Sequence, residues 1–98
     1  MPADLTADAF EAHLGTEFNV VDGDSSIVMK LAAVQRAPVR THGERKEPFS
    51  LVFSAPPGTA WPQRMYTFEH PDLGSSVIFV VPIGHGPDQV MLYEAVFN

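Results

Sequence analysis

The side chains that could form a hydrolytic site are histidine and serine, because the chain contains no cysteine. A hydrolase needs a nucleophile, a base and an oxyanion hole within reach of one another. None of the serines lies in the Gly-x-Ser-x-Gly pattern that exposes a nucleophile on a strained turn. Any small domain with several histidines and serines offers chance pairs of this kind, so we predict no catalytic residue. The histidines are His13, His42, His70 and His85.

Two segments carry residue types that bind metal ions. Residues 22–26 (DGDSS) resemble the start of a calcium loop, which also needs a closing bidentate carboxylate. The next acidic residue is Glu44, so a hairpin turn is the better interpretation of this segment. His70 and His85 could meet across strands, but no third ligand is evident, and the glycines beside His85 favour an exposed loop tip. We therefore predict neither a metal site nor a cofactor.

A basic stretch between residues 36 and 47 interrupts an otherwise acidic chain. No aromatic residue is interleaved with its basic side chains, so neither base stacking nor groove recognition of nucleic acid is supported. We predict that Arg36, Arg40 and Arg45 contact an acidic surface of a protein partner. The alternative is a solvated loop whose charge serves solubility.

The single tryptophan, Trp61, precedes Pro62 in a segment that we expect to connect two strands at the surface. An aromatic ring there either folds back over the edge of the core or is exposed as an anchor for a partner. The folded-back ring is favoured, and in the second interpretation Trp61 is a partner contact.

Length and charge limit the kinds of function. The 98 residues include six Lys+Arg and twelve Asp+Glu, a formal net charge of −6. That length predicts one domain, residues 1–98, and the acidic balance argues against nucleic-acid binding. The first residues lack the features of a secretory signal, and the longest apolar run, residues 77–83, is far shorter than the roughly 20 residues of a membrane helix. We expect a cytoplasmic protein that binds neither nucleic acid nor membrane.

A short helix is predicted at the start of the chain. Thr6 is a suitable N-cap, Phe10 and Leu14 form an apolar stripe at helical spacing, and Gly15 ends the helix. A helix this short is not stable alone in water, so it must pack on another element.

Alternation with period two follows the helix. Residues 17–20 and 27–35 predict a hairpin, and residues 49–54, 65–70 and 90–97 predict further strands. Residues 77–81 are apolar at every position, which is typical of a central strand buried on both faces. The apolar face of the second strand consists of Ile27, Met29, Leu31 and Ala33.

The connections after the fourth and fifth strands are marked by proline and glycine. Glu69 and His70 precede Pro71 and are expected to end the fourth strand by binding backbone groups of the turn. After residue 81, a loop is expected at Pro82, Gly84, Gly86 and Pro87.

Six short strands, one short helix and no long crossover helix predict a mainly β fold, a small antiparallel barrel or sandwich. Large rings are expected to fill the space between its sheets without any ligand. These rings belong to Tyr66, Phe68, Phe79, Tyr93 and Phe97.

An ordered set of segments resembles a family of bacterial proteins of unknown function and about this length. The segments are residues 48–53 (PFSLVF), 63–74 (QRMYTFEHPDLG), 78–84 (IFVVPIG) and 93–98 (YEAVFN), together with Phe10, Leu14, Gly15 and Phe18. Members of that family often occur beside genes for phage-tail-collar-like proteins. The resemblance implies a small structural or accessory protein of a tail-like system and brings no catalytic residues.

We therefore expect a non-enzymatic structural or adaptor protein that makes protein–protein contacts in a phage-tail-like assembly. A tail-collar-like protein is the expected partner, and self-association through exposed strand edges is a second route to contact. The alternative is a small ligand-binding β module with a pocket between the sheet and the helix. An enzyme ranks third.

Overall fold

The computed structural model describes residues 6–36 and 48–97. One α-helix, α1 (Ala7–Glu11), precedes six strands, β1 (Glu17–Asp22), β2 (Ser25–Arg36), β3 (Phe49–Ala55), β4 (Arg64–His70), β5 (Gly74–His85) and β6 (Met91–Phe97). A short 3₁₀ turn, Pro87–Gln89, lies between β5 and β6. Within these described ranges, no helix is long and apolar enough to cross a membrane.

All strand pairs are antiparallel, and the sheet closes on itself in the order β1-β2-β3-β6-β5-β4. The prediction of a six-stranded antiparallel β fold is confirmed, in its barrel form. Closure gives each strand two neighbours, so the described part of the chain has no edge strand. The exposed strand edges that were expected to serve self-association are therefore not found among the described residues, and self-association itself stays a prediction.

The two longest strands form the corners of the barrel. The first half of β2 pairs with β1 and its second half with β3, whereas β5 pairs first with β4 and then with β6. The register shifts at Ala32 in β2 and at Ile83 in β5. An extra residue in one strand increases its bend, and such bends let a single strand serve two sheets.

The bulge at Ala32 changes which side chains of β2 face the interior. Met29 and Leu31 are buried as predicted, but beyond the bulge it is Val34 that packs against the core. The predicted inward position of Ala33 is therefore wrong. Strict alternation cannot anticipate the shift, because an inserted residue reverses the face of every side chain that follows it.

Strand β5 departs from the prediction in two respects. Ile78 and Val80 are buried, but Val77 and Phe79 are 61% and 47% exposed, so the strand is covered on one face only. The expected interior position of the Phe79 ring is wrong for the same reason. Pro82 and Gly84 lie within β5 rather than in a loop, since the strand continues to His85.

Side chains fill the interior of the barrel, as expected for a barrel of this size. Its largest fully buried side chains are Tyr66, Tyr93, Phe10, Phe53, Phe68, Met29, Leu31, Leu51, Val20 and Val80. Phe10 of α1 closes one end, where its ring lies 5.9–6.4 Å from those of Phe18, Phe49 and Phe97.

The helix is shorter than its pattern suggests. Thr6 is confirmed as the N-cap, because its Oγ1 accepts a hydrogen bond from the N–H of Ala9 at 3.1 Å. Phe10 is buried, but Leu14 lies beyond the last helical residue and is 44% exposed. The predicted contribution of Leu14 to the apolar stripe is therefore wrong.

The β1–β2 hairpin is confirmed, with Asp22 paired to Ser25 across a turn formed by Gly23 and Asp24. Gly23 has φ +60°, in the left-handed region that costs other residues about 1–2 kcal/mol. We expect Gly23→Ala to lower the unfolding free energy by about 1 kcal/mol in urea denaturation, because a methyl group there meets no neighbour and only the backbone is strained. Asp24→Ala is the matched control, expected within about 0.5 kcal/mol of wild type. Equal losses for both variants would contradict the prediction.

Candidate functional site

The predicted basic contact surface is described only at Arg36, since Arg40 and Arg45 lie outside the described residues. The Arg36 guanidinium at the end of β2 forms ion pairs with Asp8 and Glu11 of α1, at 2.5 and 2.7 Å. Hydrogen bonds to these carboxylates raise the pKa of Arg36. Arg36 therefore ties the helix to the barrel, and its contact with a partner stays a prediction.

Trp61 lies half-buried against the edge of the core. Its ring centroid is 5.0 Å from that of Tyr66, at an interplanar angle of 41°. Its carbonyl oxygen accepts a hydrogen bond from the Tyr93 hydroxyl at 2.7 Å, and the next carbonyl, of Pro62, accepts one from Tyr66 at 2.5 Å. The ring is thus folded back on the core, while the backbone beneath it is held by two buried phenols.

His70 and His85 are separated by the fold. His70 is the last residue of β4 and pairs with Gly74, the first residue of β5, whereas His85 is the exposed last residue of β5. The predicted convergence of His70 and His85 is therefore wrong, because an antiparallel connection places them at opposite ends of a strand of 12 residues. His70 instead meets His13, which follows α1, and Asp72 in the β4–β5 turn.

The hydrogen bonds of His70 define its protonation state. Its Nδ1 atom accepts bonds from the backbone N–H groups of Asp72 and Leu73, at 3.0 and 3.3 Å. A neutral imidazole whose Nδ1 is an acceptor carries its proton on Nε2. That Nε2–H donates to Thr16 Oγ1 at 3.0 Å, and the Thr16 hydroxyl in turn donates to the carbonyl oxygen of His13 at 2.6 Å. Neutral His70 thus has a partner at each nitrogen.

These bonds confirm the prediction that His70 ends β4 by binding backbone groups of the turn. Glu69 does not share that role, since its carboxylate accepts a hydrogen bond from the Asn19 side chain on β1 at 2.9 Å. Burial, and secondly the charge of His13, lower the pKa of His70, and the Asp72 carboxylate partly opposes them. The neutral form that these hydrogen bonds require is therefore also the form favoured by the surroundings.

His13 has a different arrangement. Its Nδ1–H donates to the Ala9 carbonyl at 3.0 Å, which leaves Nε2 facing Asp72 Oδ2 at 3.4 Å. A protonated Nε2 forms a salt bridge with that carboxylate, and a neutral Nε2 presents a lone pair to it. The His13 ring also packs edge-on against His70, with centroids 4.8 Å apart.

One possible ligand atom from each of His13, His70 and Asp72 lies within 4.8 Å of the other two, as metal ligands do. A zinc site takes at least three protein ligands, each offering a free lone pair. His70 offers none, because Nδ1 is occupied by two amide protons and Nε2 carries the ring proton. Only His13 and the exposed Asp72 remain, so the cluster is organised as a structural hydrogen-bond network.

An outer apolar strip, formed by Met65, Val77 and Phe79, is the second notable feature. Met65 lies directly opposite Phe79 in the β4–β5 pair, and Val77 occupies the same face two residues before Phe79. Met65 is 60% exposed, comparable to Val77. The residue opposite Val77 is Thr67, which pairs in turn with Val21 of β1, so no charged side chain interrupts this row of the surface.

The pocket for a small ligand was expected between the sheet and the helix, and little space is available there. Phe10 occupies the region between the helix and the barrel. A groove of about 240 Å³ lies instead beside the stacked rings of Phe49 and Phe97, with Arg36 and Glu94 also at its walls.

Neither the His13–His70–Thr16 network nor the outer strip was predicted from the sequence. The role of His70 in binding backbone groups of the turn was predicted. Its contact with Thr16 was not, because the two residues are 54 positions apart and no local pattern indicates the contact. Part of the outer strip did have a signal, since residues 77–81 are apolar throughout. The face that carries Val77 and Phe79 was wrongly predicted to be buried in the interior of the same chain.

The chain belongs to a family described as a domain of unknown function (DUF6916), whose model matches residues 5–97. No curated protein and no solved structure matches it. Membership agrees with the expected resemblance to a family of unknown function and assigns no role to any residue.

Proposed function

We propose that the protein is a non-enzymatic structural or adaptor protein that makes protein–protein contacts in a phage-tail-like assembly. The observation that carries the contact function is the outer apolar strip of Met65, Val77 and Phe79 on β4 and β5. The phage-tail setting, with a tail-collar-like protein as partner, is supported by the family resemblance.

Within residues 6–36 and 48–97, the outer strip is not part of the core. The interior faces of β4 and β5 are already complete, with Tyr66, Phe68, Ile78 and Val80 in the core. An aromatic side chain contributes about 150–250 Å² of surface, so covering the exposed half of Phe79 removes roughly 100 Å² from water and contributes about 2 kcal/mol. Contiguous exposed apolar residues bordered by polar ones are typical of contact surfaces.

Several positive features favour contact over catalysis or ligand binding. His70, which is buried, forms hydrogen bonds at both ring nitrogens, and those at Nδ1 fix the β4–β5 turn. The barrel interior is filled by side chains, and the region under the helix is occupied by Phe10. Since each strand of the closed barrel is paired with two neighbours, the described part of the chain offers a partner the outer faces of strands rather than a strand edge.

We expect the double variant Met65→Thr/Phe79→Thr to lose partner binding while keeping its fold, because threonine retains β-propensity and removes the apolar contact. The matched control is Val28→Thr. Val28 is a solitary exposed aliphatic residue on β2, opposite Asn19.

Wild type, the double variant and Val28→Thr are each used for affinity capture from a lysate of the source organism, and the bound proteins are identified by mass spectrometry. Sedimentation velocity then measures the oligomeric state of each of the three proteins alone. A tail-collar-like protein bound stoichiometrically by wild type and Val28→Thr, and lost in the double variant, supports the proposal. If wild type and the double variant retain the same proteins and are both monomeric, the outer strip is not the contact surface.

A further inference from the structure

We propose that His70 is an acid-sensitive latch that ties the β4–β5 turn to the segment following α1 and opens when its ring is protonated. The latch is independent of the adaptor function proposed above. It is carried by the hydrogen-bond geometry around one buried side chain.

The latch joins two segments that are distant in sequence. On one side, Nδ1 of His70 holds the amides of Asp72 and Leu73. On the other, Nε2–H holds Thr16, whose hydroxyl binds the carbonyl oxygen of His13. The N–H of Leu31 also donates to the Thr16 carbonyl at 3.0 Å, so this segment is part of the barrel wall. Loss of the His70 bonds therefore releases the turn and one anchor of the segment that carries α1.

Protonation is incompatible with this arrangement. A proton on Nδ1 would point at the backbone N–H groups of Asp72 and Leu73, so that all three donors would lose their hydrogen bonds, and two of them belong to the buried residues His70 and Leu73. The ring centroid of His70 lies 4.6 Å from that of Phe18, at an interplanar angle of 46°, and the Phe18 side chain offers no acceptor for the released donors.

The charged groups facing His70 come from both segments. His13 lies edge-on at a centroid distance of 4.8 Å and adds a second positive charge when it is protonated. Asp72 is the only described carboxylate in the cluster, and its side chain is largely exposed and directed at His13. Burial and the charge of His13 lower the pKa of His70 despite Asp72.

The direction of the pH response follows from this shift. In the unfolded chain His70 takes up a proton near pH 6.5, whereas the closed latch takes it up only at lower pH. The latch is thus fully formed above about pH 6.5 and is weakened as the pH falls from there towards the folded-state pKa of His70.

The test is amide hydrogen exchange of Asp72 and Leu73 between pH 8 and pH 5, corrected for intrinsic exchange, with the His70 ring titrated by NMR in the same samples. We expect the protection of both amides to fall by about tenfold for each pH unit between 6.5 and the folded pKa. The ring should titrate below the value of an exposed histidine.

Two variants identify the titrating group. In His70→Asn the amide oxygen can still accept from the turn but does not titrate, so protection is expected to be independent of pH. His13→Gln keeps the latch and should retain the pH response. Corrected protection that is equal at pH 8 and pH 5 in wild type would overturn the proposal, as would a His70 ring that titrates at or above about pH 6.5.

Discussion

Replacing Phe10 with alanine is expected to lower the unfolding free energy by about 3–5 kcal/mol. Phe10 is 1% exposed and is the side chain through which a helix of five residues contacts the rings of Phe18, Phe49 and Phe97. The substitution leaves a cavity at the end of the barrel and removes the anchor of a helix too short to persist alone. A domain of 98 residues has an unfolding free energy of about 5–15 kcal/mol, so this single substitution removes a large fraction of it.

Urea denaturation followed by circular dichroism measures this loss, and Leu14→Ala is the control. Leu14 is four residues further along and equally apolar, but it is 44% exposed. The control is expected to stay within about 0.5 kcal/mol of wild type. Similar losses for the two variants would show that the helix docks through both residues, as helical spacing alone suggests.

This pair of residues shows what the pattern of the N-terminal segment could and could not predict. The cap at Thr6 and the apolar Phe10 correctly predicted a helix and its start, whereas Leu14 lies beyond the helix. The pattern could not give its end, because the chain leaves the helix after Glu11 to bring Gly15 against β2, where its N–H donates to the Leu31 carbonyl at 2.8 Å. That hydrogen bond depends on tertiary structure and outweighs local helical propensity.

The barrel could be predicted from a periodic pattern, as the helix could, but its strand order and bulges could not. Alternation with period two assigns a face to each side chain, and most inward faces were correct, as for Leu51 and Phe53. It does not identify neighbouring strands or inserted residues. The bulge at Ala32 therefore changed the environments of Ala33 and Val34 without any local signal.

The candidate site was harder to predict than the fold. His70 could be recognised as a residue that ends a strand, because it precedes Pro71 in a turn sequence. Its second contact, with Thr16, exists only because the start of β1 lies beside the end of β4 in the closed sheet. The outer strip follows the same logic, since whether Val77 and Phe79 face the interior depends on how many layers cover β5.

The second large effect is expected at alkaline pH. The chain has two tyrosines, Tyr66 and Tyr93, which are 2% and 0% exposed, and burial raises the pKa of each phenol above its ordinary value. Above pH 10 the unfolded chain loses these protons while the folded barrel keeps them. Stability contributed by the phenols is therefore complete below pH 10 and is lost as pH rises towards their folded pKa, with a slope of about 1.4 kcal/mol per pH unit for each phenol.

Absorbance at 295 nm reports tyrosinate directly, and because both tyrosines are buried no exposed phenol masks the signal. We expect tyrosinate to appear in one step that coincides with loss of the β-sheet circular dichroism signal. Tyr93→Phe should halve that absorbance, make the pH dependence shallower, and lower the neutral-pH unfolding free energy by about 1 kcal/mol through loss of its hydrogen bond to Trp61. Tyr66→Phe, which removes the bond to Pro62, should act in the same way. If tyrosinate formed near pH 10 with the circular dichroism unchanged, the phenols would be accessible in the folded state, and the backbone of Trp61 and Pro62 would not be held by two buried donors.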